Sequence, residues 1–144
     1  MNKKNYFLIG LTLLALLVSV YFNVVQAEKL KIVAGKNDLL HADFVQAISM
    51  ISLGINEAQP PDVVSIEHAY KMYALSEYTS YDKQVINQYT RILPGILRDM
   101  NYFKKPIRHA TEIKEQLRLL ANNPVKQEAI NELIRLVKLD EGAS

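Results

Sequence analysis

From Tyr6 to Phe22 the chain carries no charge and is almost wholly apolar, and Lys3 and Lys4 stand just before that run. As a helix the run rises roughly 26 Å, near the lower limit for crossing the hydrocarbon of a bilayer. Val24 and Val25 lengthen it to a comfortable span over residues 6–25. Two fates are open to it. In the first, residues 1–27 form a signal peptide: basic start, apolar middle, and small residues at −3 and −1 of a cut after Ala27, the places held by Val25 and Ala27. In the second, the same residues stay as a single-span anchor in an inner membrane. Lys29 and Lys31 oppose translocation and, with Lys36, offset Lys3 and Lys4 in the charge asymmetry that orients a span. A cytoplasmic domain on a reversed anchor is therefore a third arrangement. The expectation is export of the remaining chain to the periplasmic or other extracytoplasmic side. Thr12, Ala15 and Ser19 fall on one face of this helix, where small residues let membrane helices pack closely. Signal peptides also tolerate small residues anywhere, which is the plainer account.

The chain beyond Ala27 is electrically balanced. Of 17 basic residues, Lys3 and Lys4 precede Glu28 and 15 lie beyond it, matching the 15 acidic residues, all of which lie beyond Ala27. No broad positive excess remains to hold phosphates, so nucleic acid is not an expected partner. The chain has no cysteine, which excludes disulfides, thiolate catalysis, cysteine-based zinc sites and iron–sulfur clusters. It also excludes lipid attachment at a cysteine after signal cleavage. A domain of about 115 residues still buries enough surface to fold without such staples.

Residues 28–36, EKLKIVAGK, read as a tether in which Leu30 and Ile32 could form a very short strand. Residues 37–140 then read as an all-α domain, an irregular bundle of four or five amphipathic helices. Asn37 or Asp38 is placed to cap the first, with Leu40, Phe44, Ile48, Ile51 and Ile55 on its inner face. Pro60 and Pro61 come after its end. Ser65 is the expected cap of the next helix, with Ile66, Ala69, Tyr70, Tyr73 and Ala74 inward. Val85, Tyr89, Ile92, Ile96, Met100 and Phe103 keep a helical period through Pro94 and Gly95, which predicts a kinked helix or two short helices. KKPIRHA makes a corner. Ala110, Ile113, Leu117 and Leu120 form another stripe; Asn123 and Pro124 are placed to open the last helix, with Val125, Ala129, Leu133 and Leu136 or Val137 inward. Residues 141–144 read as a frayed tail. No repeat at solenoid periods appears.

Chemistry is sparse. Five scattered glycines form no phosphate loop, and G-x-S-x-G, H-E-x-x-H and the EF-hand loop are absent. His41, His68 and His109 lie in or beside three different helices; no two share the i, i+4 spacing of a two-ligand clamp, and solvated or singly bonded histidines are the expectation. No catalytic, cofactor-binding or metal-binding residue is assigned. Glu115 with Arg118, and Glu132 with Arg135, are spaced for surface pairing. Lys104, Lys105 and Arg108 form the one basic cluster, a solvated corner in the plain reading and a lipid-headgroup contact in the sharper one.

The most distinctive stretch is YKMYALSEYTSY. Tyrosine supplies broad contact area at low entropic cost and is enriched at binding surfaces. Tyr70 and Tyr73 coincide with the apolar stripe; Tyr78 and Tyr81, at the helix end, are the candidate partner-binding residues. The sequence thus points to a non-enzymatic protein-interaction module of the cell envelope, binding another envelope or membrane protein, with homo-oligomerisation through an uncovered apolar face also open. The alternatives are a single-span accessory subunit of a membrane complex, and a ligand binder, metal binder or enzyme using histidines between helices.

Overall fold

A computed structural model describes the backbone of residues 3–142 and the side chains of residue 16 and residues 18–142. It is all-α, without a strand among the described residues. The helices are α1 (Lys3–Ile51), α2 (Val63–Ser76), α3 (Lys83–Thr90), α4 (Leu93–Tyr102), α5 (Ala110–Asn122) and α6 (Gln127–Gly142), with a single 3-10 turn at Ser52–Gly54. The chain divides into two units at Lys36/Asn37.

In the first unit, α1 runs through the segment expected to be a tether. Neither Asn37 nor Asp38 caps a helix, because the backbone is already helical on their N-terminal side. Gly35 costs about 1 kcal/mol in a helix interior, less than ending one helix and nucleating another. Leu16, Val18, Val20, Tyr21, Phe22 and Val24 are exposed. Among the described residues no helix is long and apolar enough to cross a membrane. Most of the run over residues 6–25 in which an anchor is expected, with Thr12 and Ala15, lies outside the described side chains; Ser19 is exposed.

The second unit holds the core. Phe44, Ala47, Ile48 and Ile51 of α1 are fully buried, and Ile55 continues their stripe past the helix end; Leu40 is half-buried. Met72, Ile86, Tyr89, Leu97, Met100, Ile113, Leu117, Leu120, Ile130, Leu133 and Leu136 complete it. Each such aliphatic side chain contributes about 1.5–3 kcal/mol of burial. α5 packs on α6, and α2 packs on α3 and α4, while α3 and α4 both reach α6.

The expected α2 is displaced. Asp62, not Ser65, caps it: the Asp62 carboxylate accepts from Ser65 N at 3.0 Å, and the Ser65 hydroxyl donates to the Asp62 carbonyl at 2.9 Å. Its buried residues are Ser65, Ala69, Met72 and Ser76. Tyr70 and Tyr73, expected inside, stand outside. Gly54 makes this entry geometry; a Cβ there would lie 1.7 Å from Asp62 Oδ1 and 2.8 Å from Ser65 N.

The helical period through Pro94 resolves into two helices. The break falls before the proline, which sits in the first turn of α4, where a missing N–H leaves no bond unmade. Phe103, expected inside, is exposed. The α5 stripe is as expected. Asn123, expected to open the last helix, instead ends α5; its side chain accepts from Val125 N at 3.4 Å, and α6 begins at Gln127. Val125 is partly exposed. α6 continues to Gly142, past the point where a frayed tail is expected.

Candidate functional site

The residues singled out in the sequence meet at two places, and in both the bonding is that of a clamp. The first is the α2–α3 connection. Lys83 Nζ donates to the Ser76 carbonyl and, at 2.8 Å, to the Thr79 carbonyl. Ser76 and Thr79 donate their hydroxyls to the carbonyls three residues back. These groups satisfy the last carbonyls of α2, which a helix end leaves without intrahelical partners. His41 Nε2 accepts from Ser80 N at 3.0 Å and lies 2.9 Å from Ser80 Oγ. A backbone N–H can only donate, so Nε2 is the unprotonated ring nitrogen. The imidazole lies 4.7 Å from the Tyr81 ring, and Tyr81 lies 5.8 Å from Phe44.

Tyr81 is therefore half-buried and holds the loop to α1, whereas Tyr78 is 66% exposed. Only one of the two candidate contact tyrosines is presented to solvent. Ser80 and His41 have the separation of a nucleophile and its base. Yet the base already accepts the loop's own N–H, and no pocket forms among the described residues to receive a substrate.

The second place is where α4 and α6 end and α5 begins, near the loop before α2. Asp140, 1% exposed, accepts from Arg108 N at 3.1 Å, from His109 N at 3.2 Å, and pairs with His109 Nδ1 at 2.6 Å. Glu57 accepts from Ala110 N at 3.1 Å. Ala58 N donates to the Ile107 carbonyl and Ile107 N to the Gln59 carbonyl. Lys105 Nζ donates to the Glu141 carbonyl. Two carboxylates thus take the orphan N–H groups at the start of α5, and a buried charge is satisfied by three donors, as burial requires. His109 looks to Asp140 rather than to Glu112.

His68 lies on α2 with its Nδ1 buried and, like Asn87 Oδ1 and Thr90 Oγ1 on α3, without a partner among the described residues. No group of three His, Asp or Glu positioned for a metal occurs among the described residues. Glu115 and Glu132 bind Arg118 and Arg135 at 2.6 Å, and those side-chain hydrogen bonds hold both carboxyls below the usual range. Burial, and secondarily Tyr81, pushes the Tyr89 phenol up; its hydroxyl donates to the Pro124 carbonyl at 3.2 Å.

The outer surface of the second unit is where unassigned chemistry remains. Tyr70 and Tyr73 emerge from α2, Tyr78 from the turn after it, and Tyr102 and Phe103 from the end of α4. Arg98 pairs with its neighbour Asp99 at 2.9 Å. Sequence reasoning missed Tyr102, whose only signal is an aromatic residue off the apolar period. In comparison with known proteins the chain matches no family model, no curated protein and no solved structure.

Proposed function

We propose that this chain is a non-enzymatic interaction protein of the cell envelope, delivered to the extracytoplasmic side by residues 1–27, and that its helical domain binds another envelope or membrane protein. The observation that carries the reading is the outward tyrosine set of α2 and the turn that follows it. Tyr70, Tyr73 and Tyr78 are 42%, 40% and 66% exposed although the helix has an apolar interior available to it. Large amphipathic rings left in water are area available for a partner. His41, His109, Asp140 and Glu57 are engaged in loop clamps.

Photo-crosslinking from Tyr70, Tyr73 and Tyr78, each replaced in turn by a photoreactive phenylalanine in the native host, tests this. A discrete adduct from at least one of the three, with none from the same substitution at Glu132, is expected. No adduct from any of them overturns the tyrosine surface as the contact.

One observation favours the anchored variant, a single-span accessory subunit. α1 passes through Ala27 without a break, whereas proteolytic sites favour exposed, irregular backbone. The intact mass of the protein in membrane and soluble fractions separates the two: full-length chain in the membrane supports the anchor, and a soluble species lacking residues 1–27 supports the signal peptide. If anchored, Ala15→Leu is expected to weaken assembly with the neighbouring span.

A further inference from the structure

The geometry points to a second docking surface, distinct from the α2 tyrosines: the corner between α4 and α5 is a wedge for an anionic lipid surface. Tyr102 and Phe103 are 77% and 65% exposed, and their rings stack edge to face with centroids 5.0 Å apart. Two large neighbouring aromatics at the tip of a turn are poorly placed for water and well placed for the headgroup region, where amphipathic rings concentrate.

The corner is rigid. Lys105 N donates to the Met100 carbonyl and Lys104 N to the Asn101 carbonyl, closing the end of α4. Ile107 is buried and bonded on both sides of its peptide to residues 58 and 59. Lys105 Nζ is fastened to the Glu141 carbonyl. The aromatics are therefore presented in one arrangement, and little order has to be gained on contact.

The charge is complementary. Lys104, next in the chain to the rings, and Arg108, at the other end of the corner, are exposed, and neither enters a salt bridge among the described residues. Of the carboxylates at this end of the domain, Asp99 pairs with Arg98, Asp140 with His109, and Glu57 accepts from Ala110 N, while Glu112 in the first turn of α5 and Glu141 enter no ion pair among the described residues. Lys104 has φ 55°, at a helix end where glycine is the usual occupant because it takes that conformation without a Cβ penalty. A strained position thus carries a cation. Basic side chains next to exposed aromatics match anionic headgroups above an acyl boundary. This inference does not depend on the fate of residues 1–27.

The chain has no tryptophan, so Phe103→Trp in the full-length protein gives a single local reporter, and Tyr78→Trp gives a reference in the turn after α2. Each is reconstituted with phosphatidylcholine vesicles and with vesicles rich in phosphatidylglycerol, with and without brominated acyl chains. The expected result for Phe103→Trp is a blue shift and bromolipid quenching with phosphatidylglycerol, lost at high salt. Lys104→Gln with Arg108→Gln lowers the docking equilibrium roughly 25-fold, about fivefold per charge. The Tyr78→Trp chain stays unquenched.

Emission from Phe103→Trp that is the same with both lipids overturns the proposal. So does equal quenching of both reporters, which would mean that residues 1–27 alone bring the chain to the bilayer. A blue shift that tracks protein concentration without anionic lipid overturns it in favour of a second copy. The photo-crosslinks from α2 report on the proposed function separately.

Discussion

Replacing Gly54 by alanine tests how the bundle is entered. The added Cβ would lie 1.7 Å from Asp62 Oδ1, 2.5 Å from Asp62 Cγ and 2.8 Å from Ser65 N. The first two contacts are relieved only if the carboxylate leaves Ser65 N, which removes the α2 cap at a cost of about 1 kcal/mol. The third is to backbone, and relieving it moves the first turn of α2 or the Asp62 N to Gly54 O bond of 3.0 Å, an overpacking cost of about 1–3 kcal/mol. Gly54→Ala is therefore expected to destabilise the domain by about 2–4 kcal/mol. Hydrogen exchange of core amides in the full chain, at residues such as Leu117 and Leu133, reads the global free energy of the second unit. The double-mutant cycle is the sharper check. In an Asp62→Ala background the cap is already gone, so the added cost of Gly54→Ala should fall by about 1 kcal/mol. A cost for Gly54→Ala within about 0.5 kcal/mol of zero, or strict additivity with Asp62→Ala, would refute the reasoning.

Buried polar groups give three further expected outcomes. Asp140→Ala leaves Arg108 N, His109 N and His109 Nδ1 without their acceptor and should cost about 3 kcal/mol by the same exchange measurement; a loss below about 1 kcal/mol would mean that the clasp is idle. Thr90→Val removes a hydroxyl that is 0% exposed and has no partner among the described residues, and should stabilise by about 1 kcal/mol; a loss of stability would reveal an acceptor or donor for that hydroxyl. Tyr89 is raised in the folded state, so its contribution is fully present below the unfolded phenol value of about 10 and is lost as pH rises above it. Alkaline unfolding should begin there and be blunted in Tyr89→Phe, which gives up about 1 kcal/mol at neutral pH through the lost bond to Pro124.

The elements most legible in the sequence are those whose burial is purely apolar. Ala110, Ile113, Leu117 and Leu120 recur at steps of three and four and are all buried. Phe44, Ile48, Ile51 and Ile55 behave the same way. The face of α2 is hidden from such reasoning because tyrosine counts as apolar in a periodicity argument yet is content at the surface, while Ser65 and Ser76 are buried by bonding to their own backbone. Asp140 falls off the apolar period at the last position of the expected domain, and the donors that justify its burial lie 31 and 32 positions earlier in the chain. The same non-local pairing conceals the roles of His41, whose partner Ser80 is 39 positions away, and of His109. Local spacing suggests Asp43 and Glu112 instead. Of the two tyrosines at the end of α2, Tyr78 is exposed, while Tyr81 is drawn inward by Phe44 and His41.

The Asp140 clasp also sets when the domain can close during synthesis. Ala110 and Glu57 are joined across 53 positions, and Arg108 and Asp140 across 32. The loop before α2 is made early, but the carboxylate that locks the start of α5 arrives only with the last turns of α6. At about 5–20 residues per second, the stretch from Glu57 to Asp140 takes several seconds to emerge. Through that interval the chain has its amphipathic helices but not the closure that ties them together. On the proposed route of export, where a polypeptide is threaded through a membrane while still open, the late position of one aspartate is a delay written into the order of synthesis.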